Sequence, residues 1–225
     1  MTPAAAPDLI ARTAAFVEEK FTGEGAGHDW AHIRRVWLGA RALARAEGAD
    51  ATVTELAALL HDIADWKFHH GDEEAGPRAA RAWLLSLGAD EALIARVEDI
   101  IREVSFKGAG VATPVSSLEG ACVQDADRLD AIGAIGVARA FAYGGHKGRA
   151  LHDPQQPPVQ HGTFAEYKSN GGPTINHFYE KLLHLRERLH TAAARRVADE
   201  RHQFMEAFLA QFLKEWEGSD LQPAG

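Results

Sequence analysis

Hydrophobic residues recur three and four positions apart along most of the chain, which is the spacing of helices that bury one face. Alternation of β-branched and polar residues, the mark of half-buried strands, is scarce, whereas Ala, Leu, Arg and Glu dominate. The pattern predicts an all-α fold with eight or nine helices. The predicted spans are 7–20, 29–48, 52–67, 73–87, 90–104, 115–128, 131–142, 174–190 and 193–216.

Residues typical of helix ends flank several of these spans. Asp29, Thr52 and Asp90 are predicted N-caps, and Gly48 and Gly88 are predicted C-terminal stops. For Asp29, an active-site role is the alternative to a capping role.

One connection is much longer than the others. Residues 144–173, GGHKGRALHDPQQPPVQHGTFAEYKSNGGP, are rich in Gly, Pro, Gln and His. A connection of this length is usually functional or disordered, so we interpret it as a lid loop that excludes water from a site. Its candidate contributions to substrate binding are His146, His152, His161 and Lys168.

The last predicted helix carries an apolar stripe. It is formed by Phe204, Phe208, Leu209, Phe212 and Trp216. A stripe at this spacing is typical of a helix packed on its own domain, and a dimer interface is the alternative.

Composition restricts the class of protein. The chain has 225 residues, of which 46% are hydrophobic, and it carries a formal net charge of −8 with one cysteine, Cys122. We expect a single domain over 1–225, with a core around 25–135 that bears the site, the lid loop 144–173 and C-terminal helices 174–216. The single cysteine and the lack of a signal-like start or an apolar run of about 18 residues favour a cytoplasmic protein without a membrane span. The acidic balance also disfavours a partner that is a nucleic-acid polymer.

Candidate metal ligands are concentrated in three segments of different predicted helices. The segments GHDWAHIRRVW, LLHDIADWKF and VQDADRLDAIGA contain His28, Asp29, His32, His61, Asp62, Asp65, Asp125, Asp127 and Asp130. Nitrogen and oxygen donors from different helices that point into one space are what a metal site in a helical protein requires.

The pair His61-Asp62 is the most informative of these groups. Adjacent helical residues differ by about 100° around the axis, so both side chains can reach one ion beside the helix, and Asp65 returns to the His61 side. A lone histidine on an apolar face is usually a hydrogen-bonded core residue. The combination of this pair with a second histidine helix and an Asp-rich helix favours a metal site.

The same residues resemble a known family. His32, the pair His61-Asp62 and Asp127 match the H...HD...D pattern of the HD-domain metal-dependent phosphohydrolases, an all-helical superfamily. The phrases HDWAHIRRV, LLHDIAD and QDADRLDAIGAIG are similar to its single-domain bacterial nucleotide pyrophosphohydrolase-like members, and the resemblance runs from about residue 20 to 215.

The resemblance implies that these four residues bind one divalent metal ion. Mn²⁺ or Mg²⁺ is favoured, and Co²⁺, Fe²⁺ or Zn²⁺ also suits the donors. Relatives with two metals have further histidines on later helices, but DEALIARVEDIIREVSF has none, so we expect a mononuclear site. His69 and His70 leave a second ion open, although both are expected in a loop.

Three more acidic residues have roles to be decided. Asp125 either orients a metal ligand or faces solvent, and Asp130 either supports the pocket or forms a surface salt bridge. Asp65 occupies the position where the family carries an acidic residue one turn after the pair. Such a carboxylate can transfer a proton to or from the reacting groups, and pairing with Lys67 or Arg34 is the alternative.

A phosphate substrate needs cations in a protein that is acidic overall. Lys67, which we group with Asp65 as catalytic, and Lys107 are the first choices. The remaining predicted substrate-binding residues are Arg34, Arg35, Arg128, His28, Asn176, Tyr179 and Lys181. For Arg34 and Arg35 the alternative is a solvated helix face, and for Tyr179 it is the core.

The expected activity is metal-dependent phosphohydrolysis. A nucleoside or deoxynucleoside triphosphate cleaved to monophosphate and pyrophosphate is the favoured reaction. The alternatives are a nucleotidase that releases orthophosphate and a metal- and nucleotide-binding sensor with little turnover. A further alternative is a purely structural helical module, in which substitution of His61 and Asp62 would change neither metal content nor activity. The protein is expected to be a monomer or homodimer.

Overall fold

Helices make up most of the protein. The computed structural model describes residues 6–23, 29–64, 72–104, 115–159 and 171–221. Within these ranges it has no strand and nine α-helices: α1 (Ala6–Phe21), α2 (Trp30–Glu47), α3 (Ala51–Leu60), α4 (Ala75–Ser86), α5 (Glu91–Val104), α6 (Leu118–Asp130), α7 (Gly133–His146), α8 (Asn176–Glu180) and α9 (Ala192–Glu217). Two 3₁₀ segments, Leu182–Arg188 and Ser219–Leu221, accompany the last two helices. The all-α prediction is confirmed.

Helix α3 lies at the centre of the first half of the fold. It packs against α1, α2, α5 and α6, and every residue from 53 to 60 is buried. A helix that is apolar on nearly all sides must be enclosed by neighbours. Its one buried carboxylate, Glu55, accepts a hydrogen bond from Trp37 Nε1 at 2.7 Å, so this charge is not left without a partner.

Most predicted helix ends are correct. The Asp29 carboxylate accepts a hydrogen bond from the His32 amide at 2.8 Å, and Asp90 accepts one from Leu93 at 2.9 Å. Gly48 has a φ of 78°, a left-handed conformation that glycine adopts without strain.

The predicted Thr52 cap is wrong. Asp50 is the N-cap of α3, and its Oδ1 accepts hydrogen bonds from the amides of Thr52 and Val53. The N-cap therefore lies two residues before the predicted one, and Thr52 lies in the first turn of the helix.

Two predicted helices are shorter than expected. The span 52–67 stops being α-helical at Leu60, and residues 61–64 form a turn. The His61 ring forms a hydrogen bond with the carbonyl of Ala58. In a continuing helix this carbonyl would instead accept from the amide of residue 62. The span 174–190 is split because Lys181, with φ −143° and ψ −57°, leaves the helical region between α8 and the 3₁₀ segment.

An aromatic cluster joins the C-terminal helices. Phe141 of α7 lies 5.9 to 6.1 Å, between ring centroids, from Phe178, Phe208 and Phe212. The stripe on the last helix therefore packs on its own domain, as predicted, although Phe204 and Trp216 at its edges are 48% and 45% exposed.

The first part of the predicted lid loop is held against these helices. Helix α7 extends to His146, and the amides of Thr174 and Ile175 donate to the carbonyls of Ala150 and Leu151 at 2.9 and 3.0 Å. The His152 ring packs against Trp216, with centroids 5.2 Å apart. Residues 160–170 of this loop lie outside the described part of the chain.

One hydrophobic core contains buried residues from Leu9 in α1 to Leu209 in α9. The two halves of the fold therefore share their apolar interior. Among the helices that the structure describes, none is long and apolar enough to cross a bilayer.

Candidate metal centre

Three elements bring their histidines and carboxylates to one point. His32 lies in the first turn of α2, His61 and Asp62 lie in the turn after α3, and Asp127 lies near the end of α6. His32, His61 and Asp127 can each offer one ligand atom, and these three atoms all lie within 4.8 Å of one another.

Asp62 belongs to the same group of atoms. Its Oδ2 lies 3.4 Å from His61 Nε2 and 3.6 Å from His32 Nε2. The Oδ1 of Asp127 lies 3.5 Å from the same His32 nitrogen. The four predicted ligands therefore surround a common space.

The His61 ring is oriented for a cation. Its Nδ1 lies 2.8 Å from the Ala58 carbonyl, which only a protonated nitrogen can satisfy, so the hydrogen of a neutral ring resides on Nδ1. The side chain is 3% exposed, and its buried Nε2 has no hydrogen-bond partner among the described residues. A buried nitrogen with a lone pair directed at two carboxylates fits a divalent cation.

His32 is oriented in the same sense by a carboxylate. Its Nδ1 lies 2.8 Å from Oδ2 of Asp130, which is 4% exposed. A hydrogen on Nδ1 leaves the lone pair on Nε2, the atom that faces Asp62 and Asp127. Asp130 therefore supports the pocket, and the salt bridges that it forms with Arg35 and Arg139 are made by a buried carboxylate, not by a surface one.

Two arginines hold Asp130 in turn. Arg35 donates from Nε to Oδ1 at 2.6 Å and from Nη2 to Oδ2 at 3.1 Å, and Arg139 of α7 donates to Oδ2. Burial disfavours the charged carboxylate, but the hydrogen bonds from His32 and Arg35 outweigh it and hold the pKa of Asp130 well below its usual range.

Arg139 also approaches His32 directly. Its Nη1 lies 3.0 Å from His32 Nδ1. A nitrogen that donates its hydrogen to Asp130 cannot also accept one from Arg139, and the charged carboxylate is the stronger partner. We therefore assign the His32 bond to Asp130.

The cluster is electrostatically suited to positive charge. Burial lowers the pKa of His61, but the charges of Asp62 and Asp127 outweigh burial and raise it to about 9. The pKa of His32 is also raised, since Asp130 and Asp62 outweigh its burial. The carboxylates thus favour positive charge at both histidines, which a divalent ion in place of the protons would supply.

Asp125 has a different role from either one considered in the sequence. It is fully buried and accepts hydrogen bonds from the amides of His190 and Thr191 and from the Thr191 hydroxyl, at 2.8 to 3.1 Å. The expectation that it faces solvent or orients a metal ligand is wrong, because its oxygens fix the start of α9.

The predicted phosphate-binding arginines occupy different surroundings. Arg34 is exposed on α2, and Arg35 is bonded to Asp130. Arg128 is 6% exposed, donates to the Arg188 carbonyl and lies 3.0 Å from His190 Nε2. Of these three arginines, Arg35 therefore lies directly beside the candidate metal ligands, through its bond to Asp130.

The predicted residues of the C-terminal half are grouped around α8. Asn176 is 3% exposed and donates to the Gln156 carbonyl at 2.8 Å. Tyr179 is half-buried against the core, and Lys181 lies at the break after α8. His146 is exposed at the end of α7.

Several residues predicted to belong to the site lie outside the part of the chain that the structure describes. The residues outside the described part of the chain are His28, Asp65, Lys67, His69, His70, Lys107, His161 and Lys168. Their assigned roles stay predictions.

Two residues near the centre were missed in the sequence. Arg139 contacts Asp130 from nine residues further along the chain, and Lys20 of α1 donates to the Ile63 carbonyl at 2.8 Å, in the turn that carries His61 and Asp62. A basic residue on an amphipathic helix gives no local signal of such a contact.

Comparison with known proteins identifies the family. Residues 29–132 match the HD domain family, and this range contains all four clustered residues. The chain is also 37% identical over 208 residues to the uncharacterized Bacillus subtilis protein YpgQ, covering 92% of this chain and 93% of YpgQ. The chain belongs to the HD-domain family.

Solved structures agree with this assignment. A Lactobacillus plantarum protein is 35% identical with a TM-score of 0.81, and covers 96% of this chain and 100% of its own. An HD-superfamily hydrolase from Bacillus thuringiensis is 42% identical with a TM-score of 0.75, covering 95% and 99%. YpgQ in complex with ADP has a TM-score of 0.72 at 35% identity, covering 92% and 97%. The resemblance noted in the sequence is confirmed, and the HD family's hydrolase class is supported.

Proposed function

We propose that this HD-domain protein is a divalent-metal-dependent phosphohydrolase that converts nucleoside or deoxynucleoside triphosphates to monophosphates and pyrophosphate. The observation that carries the proposal is the orientation of the two histidines. Both have Nδ1 engaged by a fixed acceptor, and both direct Nε2 toward Asp62 and Asp127.

His32, His61, Asp62 and Asp127 would hold one ion, with Mn²⁺ or Mg²⁺ favoured. When bound, such an ion polarises a phosphoryl oxygen and lowers the pKa of water at the site. Within the chain, Asp65 is proposed to move the proton, and Lys67 and Lys107 to bind phosphate. These three residues are assigned by their positions in the motifs.

A bound ion would make the charge of the centre compatible with an anionic substrate. Asp62, Asp127 and Asp130 carry three negative charges, and the proposed Asp65 adds a fourth. Arg35, Arg139 and a divalent ion would together carry four positive charges. A phosphate chain would thus meet a neutralised site in a protein whose formal net charge is −8.

A nucleotide substrate is supported by the solved complex of the relative YpgQ with ADP. In this chain Asn176, Tyr179 and Lys181 are proposed to bind the nucleotide from the side of α8. The single-domain organisation over 1–225, the lid role of 144–173, cytoplasmic location and a monomeric or homodimeric state are further parts of the proposal.

Product analysis tests the reaction. The Mn²⁺-loaded protein would be incubated with nucleoside and deoxynucleoside mono-, di- and triphosphates, and orthophosphate and pyrophosphate would be measured separately. Pyrophosphate with a monophosphate is the expected result, with the Asp62→Ala variant as the inactive control.

Other outcomes would replace the proposal. Orthophosphate as the sole inorganic product would identify a nucleotidase. Metal binding without any product from the panel would favour a binding protein.

A further inference from the structure

We infer that Arg139 of α7 is a positioning residue for the metal centre, which acts through Asp130 on His32 and makes metal affinity depend on where α7 lies. The inference rests on the metal-binding part of the proposed function. It assigns a role to a helix that provides no metal ligand.

The chain of contacts is short and largely buried. Arg139 and His32 share the same acceptor, Oδ2 of Asp130, which lies 2.8 Å from His32 Nδ1. The side chains of His32 and Asp130 are 2% and 5% exposed, whereas that of Arg139 is 31% exposed. The arginine therefore covers a buried pair from the solvent side.

Asp130 needs these arginines to orient His32 well. A carboxylate can accept several hydrogen bonds, and Asp130 receives two from Arg35 and one from Arg139 besides the bond of His32 Nδ1. These bonds hold the carboxylate in one position beside the ring. Arg35 and Arg139 therefore help to hold the ring orientation in which Nε2 faces the other candidate ligands.

Arg35 and Arg139 connect Asp130 to different parts of the fold. Arg35 is on α2, the helix that carries His32, so it moves with that ligand. Arg139 is on α7, which packs against α9 and the aromatic cluster. Of the two arginines, Arg139 is the one that connects the metal centre with the C-terminal half of the fold.

A glycine allows α7 to turn back over Asp130. Gly133 has a φ of 73°, and a Cβ at this position would lie 2.9 Å from Cγ of Arg201, whose guanidinium donates to the Leu129 carbonyl. Both the conformation and the close approach favour glycine. The turn places Arg139 above a carboxylate nine residues earlier.

Metal affinity, measured without turnover, is the direct test. Mn²⁺ binding to metal-free protein would be measured by titration calorimetry for wild type, Arg139→Gln, Arg139→Lys and Asp130→Asn. We expect about 10-fold weaker binding for Arg139→Gln and up to about 100-fold weaker binding for Asp130→Asn, the range typical of lost outer-shell partners. Arg139→Lys keeps the charge and should recover most of the loss.

Arg81→Gln is the matched control. Arg81 also holds a carboxylate, Glu98, at 2.7 Å, and its side chain is 36% exposed, but it links α4 and α5. It should bind Mn²⁺ like wild type. Thermal unfolding of all variants would show whether each is folded at the titration temperature.

A second readout separates positioning from general stability. In the Zn²⁺-loaded protein, the ¹⁵N shifts of His32 identify the nitrogen that retains its hydrogen. We expect Nδ1–H in wild type and Arg139→Lys, and a weaker Nδ1 hydrogen bond, seen as an upfield shift of its proton, in Arg139→Gln.

The outcomes are distinct. Unchanged affinity and an unchanged Nδ1–H signal in Arg139→Gln would overturn the inference, and so would equal losses in Arg139→Gln and Arg81→Gln. A higher KM at unchanged metal affinity would assign Arg139 to substrate binding instead. Failure of wild type to bind metal would instead overturn the proposed function.

Discussion

Two histidines buried in different halves of the protein experience opposite electrostatic surroundings. At His61, the carboxylates of Asp62 and Asp127 overcome burial and raise the pKa to about 9. At His177 of α8, burial and the charges of Lys181 and Arg149 act in the same direction and lower the pKa to about 3.

A second cation lies near Arg149 at the end of α7. The Arg149 guanidinium lies 5.6 Å, and the Lys147 ammonium 5.7 Å, from the centroid of the exposed Tyr143 ring. Two cations are therefore close to one aromatic ring in this part of the fold, although the whole chain is acidic.

The difference shows that burial alone does not make a histidine a metal ligand. The charges around it decide whether a cation or an anion is favoured. The surroundings of His61 therefore support the proposed metal site, and Lys181 after α8 is proposed to bind the substrate.

Replacing His61 or His177 with alanine should give the largest difference in Mn²⁺ binding between the two regions. We expect His61→Ala to weaken Mn²⁺ binding more than the roughly 10- to 100-fold typical of an outer-shell loss, and to abolish turnover. His177→Ala should bind Mn²⁺ like wild type. Calorimetry on both folded variants makes the comparison, and equal losses of metal would contradict it.

Within the carboxylate-rich half, metal binding and chemistry should be separable. Asp62→Ala should lose the metal, whereas Asp65→Asn should keep it and lose turnover by roughly 10²- to 10³-fold, as expected for a lost proton-transfer group. Metal content by elemental analysis and kcat measure the two effects. Retained turnover in Asp65→Asn would remove Asp65 from catalysis.

Removing a cation near His177 should have a smaller effect, which is limited to substrate binding. Lys181→Ala should raise KM for a triphosphate about fivefold to tenfold, the value of one charge-assisted contact, with kcat and Mn²⁺ affinity unchanged. Lys214→Ala, an exposed lysine on α9, is the control. A change in kcat without one in KM would argue against a binding role.

The smallest effect concerns stability against pH. His177 binds a proton more weakly in the folded protein, so its contribution to stability is complete above pH 6.5 and is lost as the pH falls toward 3. The contribution of His177 to the free energy of unfolding should drop by about 1 kcal/mol between pH 6.5 and 5.5, within the limit of ~1.4 kcal/mol per unit. Urea titrations of wild type and His177→Gln would show this, and equal pH slopes would contradict it.

The sequence predicted the elements that depend on local pattern. All nine helical spans correspond to helices in the described chain, because apolar periodicity and caps such as Asp29 act over a few residues. The end of α3 was missed, since it depends on the His61 ring bonding to Ala58. The split at Lys181 likewise had no signal in the apolar spacing.

The four clustered residues were found because each lies in a short motif. Asp125 and Asp130 could not be distinguished from the sequence, since both lie in the same acidic segment of α6. Their roles depend on contacts with residues 66 and 98 positions away, Thr191 and His32. Arg139 was missed for the same reason, because its function arises only when α7 folds back.

The bond from Lys20 to the Ile63 carbonyl has a consequence for truncated forms of the protein. The HD domain match begins at residue 29, so a fragment cut at that boundary would contain every proposed metal ligand but not Lys20. The turn that carries His61 and Asp62 would lack the hydrogen bond from α1, and the fragment would also expose the apolar residues that α1 covers. The smallest fragment that folds like the full chain should therefore include α1, which lies outside the range that the family matches.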